Sequence, residues 1–269
     1  MKSVLIIATL ASLLGAPLAI AGTPLTDAMA GEHRSDANRA RDPYRHPAET
    51  LEFFGFQPDL TVLEIWPGGG WYTEILAPAM SEDGKLILAV YGEGPDTSAY
   101  RARNHRKFVE KLAAREDLYG AIDTFEFWPP ETTSLGASDS VDLIVTFRNM
   151  HSMLRRDQNG VFFKEAFRVI KPGGTLGIVQ HRAPEGADAR TMADEGYVPT
   201  DWVIAQATAA GFVLDGTSEI NANPKDTKDY PEGVWTLPPS LDAEDGRDDE
   251  YRAIGESDRM TLRFVRPFG

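Results

Sequence analysis

The residues best suited to chemistry stand at the ends of two apolar runs. Val141 to Phe147 is followed by Arg148-Asn149-Met150-His151, and Leu176 to Gln180 is followed by His181-Arg182. Strands of an open α/β sheet present their C-terminal ends to one crevice, so all five polar residues are expected to face it. Histidine exchanges a proton near neutral pH and suits a general base. Arg148 suits an anionic or phenolate-like oxygen, and Asn149 suits the orientation of a ligand. The other use of each histidine is to cap a strand end by bonding to the backbone. Two histidines among many carboxylates also admit a metal-dependent enzyme with a two-His, one-carboxylate site. No His-x-x-x-His spacing supports it, and the reading is of no metal site.

A second stretch binds rather than reacts. Val62 to Ile65 is a short apolar run containing Glu64, then come Trp66-Pro67-Gly68-Gly69-Gly70, then the amphipathic start Trp71 to Leu76. Strand, glycine turn and helix in that order form the nucleotide-binding corner of a doubly wound sheet. Gly68 and Gly70 are expected to let a ligand approach the backbone, with Gly70 lying directly against it. The dinucleotide fingerprint fails at its third glycine, which is Thr73 here.

These residues need a frame, and the pattern supplies one. A second buried strand is read at Lys85 to Tyr91, and further strands at Ala121 to Phe127, Val141 to Phe147, Leu176 to Gln180 and Phe212 to Ile220. Helices are read at Tyr72 to Met80, Tyr100 to Leu118, Gly160 to Val169 and Trp202 to Ala210. The alternation predicts a parallel α/β sheet with right-handed crossovers. Met260 to Val265 closes the chain with no helix before it, so the last two strands are expected to pair antiparallel. Ile170 to Thr175 reads as a turn, Thr23 to Asn38 as a loosely held helix, and the acidic stretch 231–257 as a long loop. Arg39 to Pro47, with three arginines and two prolines, reads as a fixed, partly extended segment that is either solvated surface or a cover for the crevice mouth.

Glu64, Gly68 and Gly70 resemble motif I of class I S-adenosylmethionine-dependent methyltransferases, although Trp66 stands where the motif usually has its first glycine. The strand Val141 to Phe147, the turn Lys171-Pro172-Gly173-Gly174 and the closing strand pair follow in that family's order, over about Leu51 to Pro267. Phe147-Arg148-Asn149 is similar to the Arg-Asn motif of ubiquinone/menaquinone C-methyltransferases. The whole chain resembles a family of exported predicted methyltransferases. The resemblance implies a Rossmann-like seven-stranded sheet, mostly parallel with an antiparallel last strand. It implies S-adenosylmethionine as cofactor, held by Glu64, Gly68, Gly70 and Asn149. Glu93 would take the ribose, because the family's usual acid position is Tyr91, and Glu131 would take the adenine amino group. His151, His181 and Arg148 would then act on a small-molecule methyl acceptor.

Composition limits the partners. The 269 residues carry a formal charge of -14 and no cysteine. An acidic surface disfavours nucleic acid and anionic lipid. The absence of cysteine removes disulfides, thiolate metal sites and a thiol nucleophile. Lys2, the apolar run Val4 to Leu14 and the small residues Ala19 and Ala21 predict a secretory signal at residues 1–21, cleaved before Gly22, with no membrane anchor left afterwards. One domain over 22–269 in the periplasm or outside the cell is then expected. A rival reading shares the fold: a non-catalytic periplasmic binding protein, because the cofactor is made in the cytoplasm.

Overall fold

A computed structural model describes residues 23–92 and 99–268. The expected signal segment and Glu93 lie outside the described residues. Seven strands form one sheet: β1 (Thr61–Ile65), β2 (Lys85–Val90), β3 (Asp123–Glu126), β4 (Val141–Phe147), β5 (Ile170–His181), β6 (Val213–Ser218) and β7 (Arg259–Val265). Their order is β3-β2-β1-β4-β5-β7-β6. The pairs from β3 to β5 are parallel, and β7 runs antiparallel between β5 and β6. This is the expected α/β class. The sequence order reverses across β1, whose neighbours are β2 and β4, and ligands of open sheets bind at such a switch point.

Burial on both faces explains the near-continuous apolar runs of the central strands β1, β2 and β4. The helix Asn159–Val169 buries Phe162, Phe163, Ala166 and Val169, one helical stripe, against one face of the sheet. The other face is covered by the helices Pro24–Ala30, Pro47–Phe53 and Thr73–Ala79, through Leu25, Leu51, Ile75 and Leu76.

Three segments differ from expectation. The Lys171–Gly174 turn lies inside β5 rather than before it. Val141 pairs with Ile170 and Leu143 with Thr175, so four residues bulge opposite Asp142. Asp142 holds the bulge through Lys171 Nζ at 2.7 Å and caps β1 by accepting from the Thr61 N–H at 2.9 Å. The N-terminal stretch is firmly tied, not loose. Its Arg34 is 1% exposed, donates to both Asp42 oxygens at 2.8 and 2.7 Å, and lies over the Trp71 ring. The acidic stretch 231–257 is not a plain loop. It carries a 3-10 turn (Gly233–Thr236) and a helix (Asp248–Ile254), because Leu237, Ala243 and Tyr251 bury a small core of their own. No helix among the described residues is long and apolar enough to cross a membrane.

Candidate functional site

A cavity of about 560 Å³ opens at the C-terminal ends of β1, β2, β4 and β5. Two chain reversals create it. After β1, Trp66 turns with φ 48, and after β4, Arg148 turns with φ 64, a left-handed region that side chains seldom enter. Both reversals are tied to neighbouring strands: the Trp66 N–H donates to Ala89 O at 2.8 Å and the Arg148 N–H to Val179 O at 2.7 Å. The Asn149 amide joins them. It donates to Ile65 O at 2.9 Å, Trp66 O at 3.3 Å and Thr146 Oγ1 at 3.1 Å. Asn149 lines the cavity, but its N–H groups are engaged in holding β1 and β4 open at this point.

The glycine turn forms one end. Gly68, at φ 62, and Gly69 line the cavity, and a Cβ on either would meet open space. Gly70 does not lie against the cavity as expected. A Cβ there would stand 2.4 Å from the Phe108 ring, so this glycine lets the helix Ala99–Ala114 pack on the turn. Glu64 is 1% exposed and accepts from Thr73 Oγ1 at 2.7 Å. Burial pushes its pKa up to about 7, against the pull of Thr73 and Lys111. Trp66 is buried rather than open. Its Nε1 donates to Phe127 O at 2.8 Å, and its ring packs 4.9 Å from Tyr91 and 5.4 Å from Trp128. Glu131 is exposed and does not line the cavity, because Trp128 and Thr132 close a tight bridge around it.

The histidines form a second wall. The His151 and His181 rings are 6.1 Å apart, and both line the cavity. His151 bonds Ser152 Oγ through Nε2 at 3.1 Å, and His181 bonds Ser257 Oγ through Nδ1 at 2.5 Å. Burial, then the nearby Arg155, pushes the His151 pKa down to about 3. Burial, then Arg259 and Arg148, pushes His181 well below its ordinary value. Both are neutral at pH 7, able to accept a proton weakly and unable to donate one while the cations around them lack an anion.

The third wall was only partly visible in sequence. Arg41 and Arg45, from the Arg39 to Pro47 cluster, line the cavity beside Arg148 and Arg259. That cluster is a short helix (Asp42–Arg45) with its flanks, and Arg45 is 2% exposed rather than solvated. Glu256 receives Arg41 Nε at 2.6 Å, Arg45 Nε at 3.0 Å and the Arg259 guanidinium. Burial raises its pKa, but the three cations outweigh burial and hold it well below the usual carboxylate range. Arg148 makes no side-chain hydrogen bond or ion pair among the described residues, and burial with Arg259 and Arg41 nearby lowers its pKa to about 10. Arg182, expected here, is absent from the lining. It is drawn away to Asp258 at 2.8 Å and Glu219 at 2.6 Å. No group of three His, Cys, Asp or Glu side chains among the described residues is placed to hold a metal ion.

Solved structures share the fold. A SAM-dependent methyltransferase from Aquifex aeolicus superposes with TM-score 0.53 at 16% identity, over 84% of this chain and 93% of its own. The cyclase SpnF superposes with TM-score 0.58 at 16% identity, over 91% and 92%. The N-methyltransferase NodS from Bradyrhizobium japonicum does so with TM-score 0.50 at 15% identity, over 83% and 96%. No protein-family model and no curated protein matches the sequence. The chain has the methyltransferase fold, and one structural neighbour on that fold is a cyclase by name, so the site must supply the functional argument.

Proposed function

We propose that this protein transfers a methyl group from S-adenosylmethionine to a small-molecule acceptor. The observation that carries the reading is the position of the cavity: it lies at the switch point between β1 and β4, with Gly68 and Gly69 open to it. The donor set fits the amino-acid end of the cofactor. Glu64 presents a buried carboxylate beside the glycine turn, and an ammonium group would hold it ionised. S-adenosylmethionine would supply an electrophilic methyl group there. The chain's own part is to hold the acceptor in line, with the His151–His181 wall to take its proton and arginines to fix its anionic form. The start of the chain supports placement in the cell envelope, which N-terminal sequencing of a periplasmic extract checks.

A second reading is a binding protein without turnover on the same fold. The packed rings of Trp66 and Tyr91 favour it, because they stand where the resembled family has a glycine and the ribose-binding acid. Calorimetric titration with S-adenosylmethionine and S-adenosylhomocysteine tests the first reading. Saturable binding of both supports methyl transfer. No heat at millimolar ligand from a folded protein rejects it and leaves the binding reading.

A further inference from the structure

The wall formed by Arg41, Arg45, Arg148 and Arg259 holds four guanidinium groups around one carboxylate, Glu256. The side chains of Arg45, Arg259 and Glu256 are 2, 3 and 2% exposed. Three positive charges are left over in a protein whose total charge is -14. Hydrogen-bonding capacity is left over as well. Arg41 Nη2, Arg45 Nη2 and Arg259 Nε are buried with no partner. Buried cations without counter-charge are costly, and so are buried donors without acceptors. No other acidic group among the described residues pairs with these four arginines. The missing charge therefore has to come from what enters the cavity.

We propose that this wall is the recognition site for a dianionic oxyanion group, a phosphate monoester carried on a small organic body. Charge selects the dianion. A carboxylate would leave two of the three surplus charges unbalanced, whereas a phosphate dianion leaves one. Its oxygens also accept from several guanidinium forks at once, which is the geometry arginine serves best. Size selects the organic body, because a phosphate ion alone fills a small part of 560 Å³. Trp71, Tyr72, Phe147 and Trp235 line the same space and supply apolar contact for that body. Arg148 is the member least committed to the fold, since it has no bond to another described side chain. It is kept as a ligand contact at the expense of stability.

The inference names the acceptor class of the proposed methyl transfer and rests on that reading only in calling the ligand an acceptor. The test uses the mature chain, titrated with phenyl phosphate, inorganic phosphate and benzoate, and separately with S-adenosylhomocysteine. Phenyl phosphate is expected to bind tightest, inorganic phosphate next and benzoate weakest, each dianion raising the melting temperature. Arg148→Gln is expected to weaken phenyl phosphate binding by about tenfold or more, the usual size of a lost charged hydrogen bond. The same substitution is expected to raise the melting temperature of the ligand-free protein, which loss of a merely structural residue would not do. Arg41→Gln serves as a second variant should the first fail to fold. Equal binding of benzoate and phenyl phosphate, or no binding of either dianion at millimolar concentration, overturns the proposal. Dianion binding without S-adenosylhomocysteine binding upholds the anion site and rejects methyl transfer. The reverse pattern rejects the anion site alone.

Discussion

At the glycine end of the cavity the walls are close to neutral and the backbone does the shaping. At the arginine end the walls are strongly cationic and side chains from distant parts of the chain do it. Gly68, Gly69 and Glu64 come from one strand and its turn. Arg41 and Arg45 come from the N-terminal extension, Arg148 from the end of β4, and Glu256 and Arg259 from the C-terminus. The first end is what the fold gives to any ligand at a switch point. The second end is specific to this chain and carries unbalanced charge, so it states more about what binds. Substitutions should separate them: changes at the arginine end act through buried charge, and those at the glycine end through shape.

The largest effect is expected at Glu256. Glu256→Gln removes the one carboxylate that Arg41, Arg45 and Arg259 share, leaving them as buried unpaired cations. Breaking such a pair costs about 3–5 kcal/mol, read as a fall in the urea midpoint. A loss under about 1 kcal/mol would mean that the wall is hydrated and ordinary.

Acid should act next, through the histidines. His151 falls from 6.5 to about 3 on folding, so the unfolded chain binds more protons between these values. Its contribution is complete above the unfolded value and is lost as pH falls, by about 3 kcal/mol on reaching about pH 4. Glu64 works in the opposite direction. It rises from 4.5 to about 7, so the stability that it lends is full below 4.5 and fades as pH climbs through 7. His151→Gln should flatten the acid side of the stability profile, and Glu64→Gln the neutral side. A profile unchanged by either variant would show both groups to be solvated.

Two neighbouring glycines sharpen the comparison at the other end. Gly70→Ala drives a methyl group into Phe108 at φ 75 and should cost about 2 kcal/mol. It should leave S-adenosylhomocysteine affinity near wild type, because Gly70 does not line the cavity. Gly69→Ala is the smallest change, within about 0.5 kcal/mol of wild-type stability, because its Cβ meets nothing. It should weaken S-adenosylhomocysteine by about tenfold if the ligand lies on the turn. Equal affinities in both variants would take the glycine turn out of the site.

Local pattern was enough to specify the alternation of strands and helices, the glycine turn after β1, and the polar ends of β4 and β5, because periodicity and turn chemistry act over a few residues. Parallel neighbours then bring His151 and His181 together, since β4 and β5 pair up to Phe147 and Val179 at their C-terminal ends. Gly68 and Gly70 look alike in sequence, yet only contact with Phe108, 38 positions away from Gly70, gives Gly70 a packing role. Arg182 and Arg148 both follow apolar runs, and only the placement of Glu219 and Asp258 draws one of them aside. The Arg39 to Pro47 cluster was visible as unusual, but its partner Glu256 lies more than 200 residues on. Charge balance in a buried wall is a sum over segments that meet only when the chain has folded, and no local pattern records that sum. The sequence by itself therefore determined the sheet and where a ligand would enter it, and the tertiary structure alone decided which charges that ligand would meet.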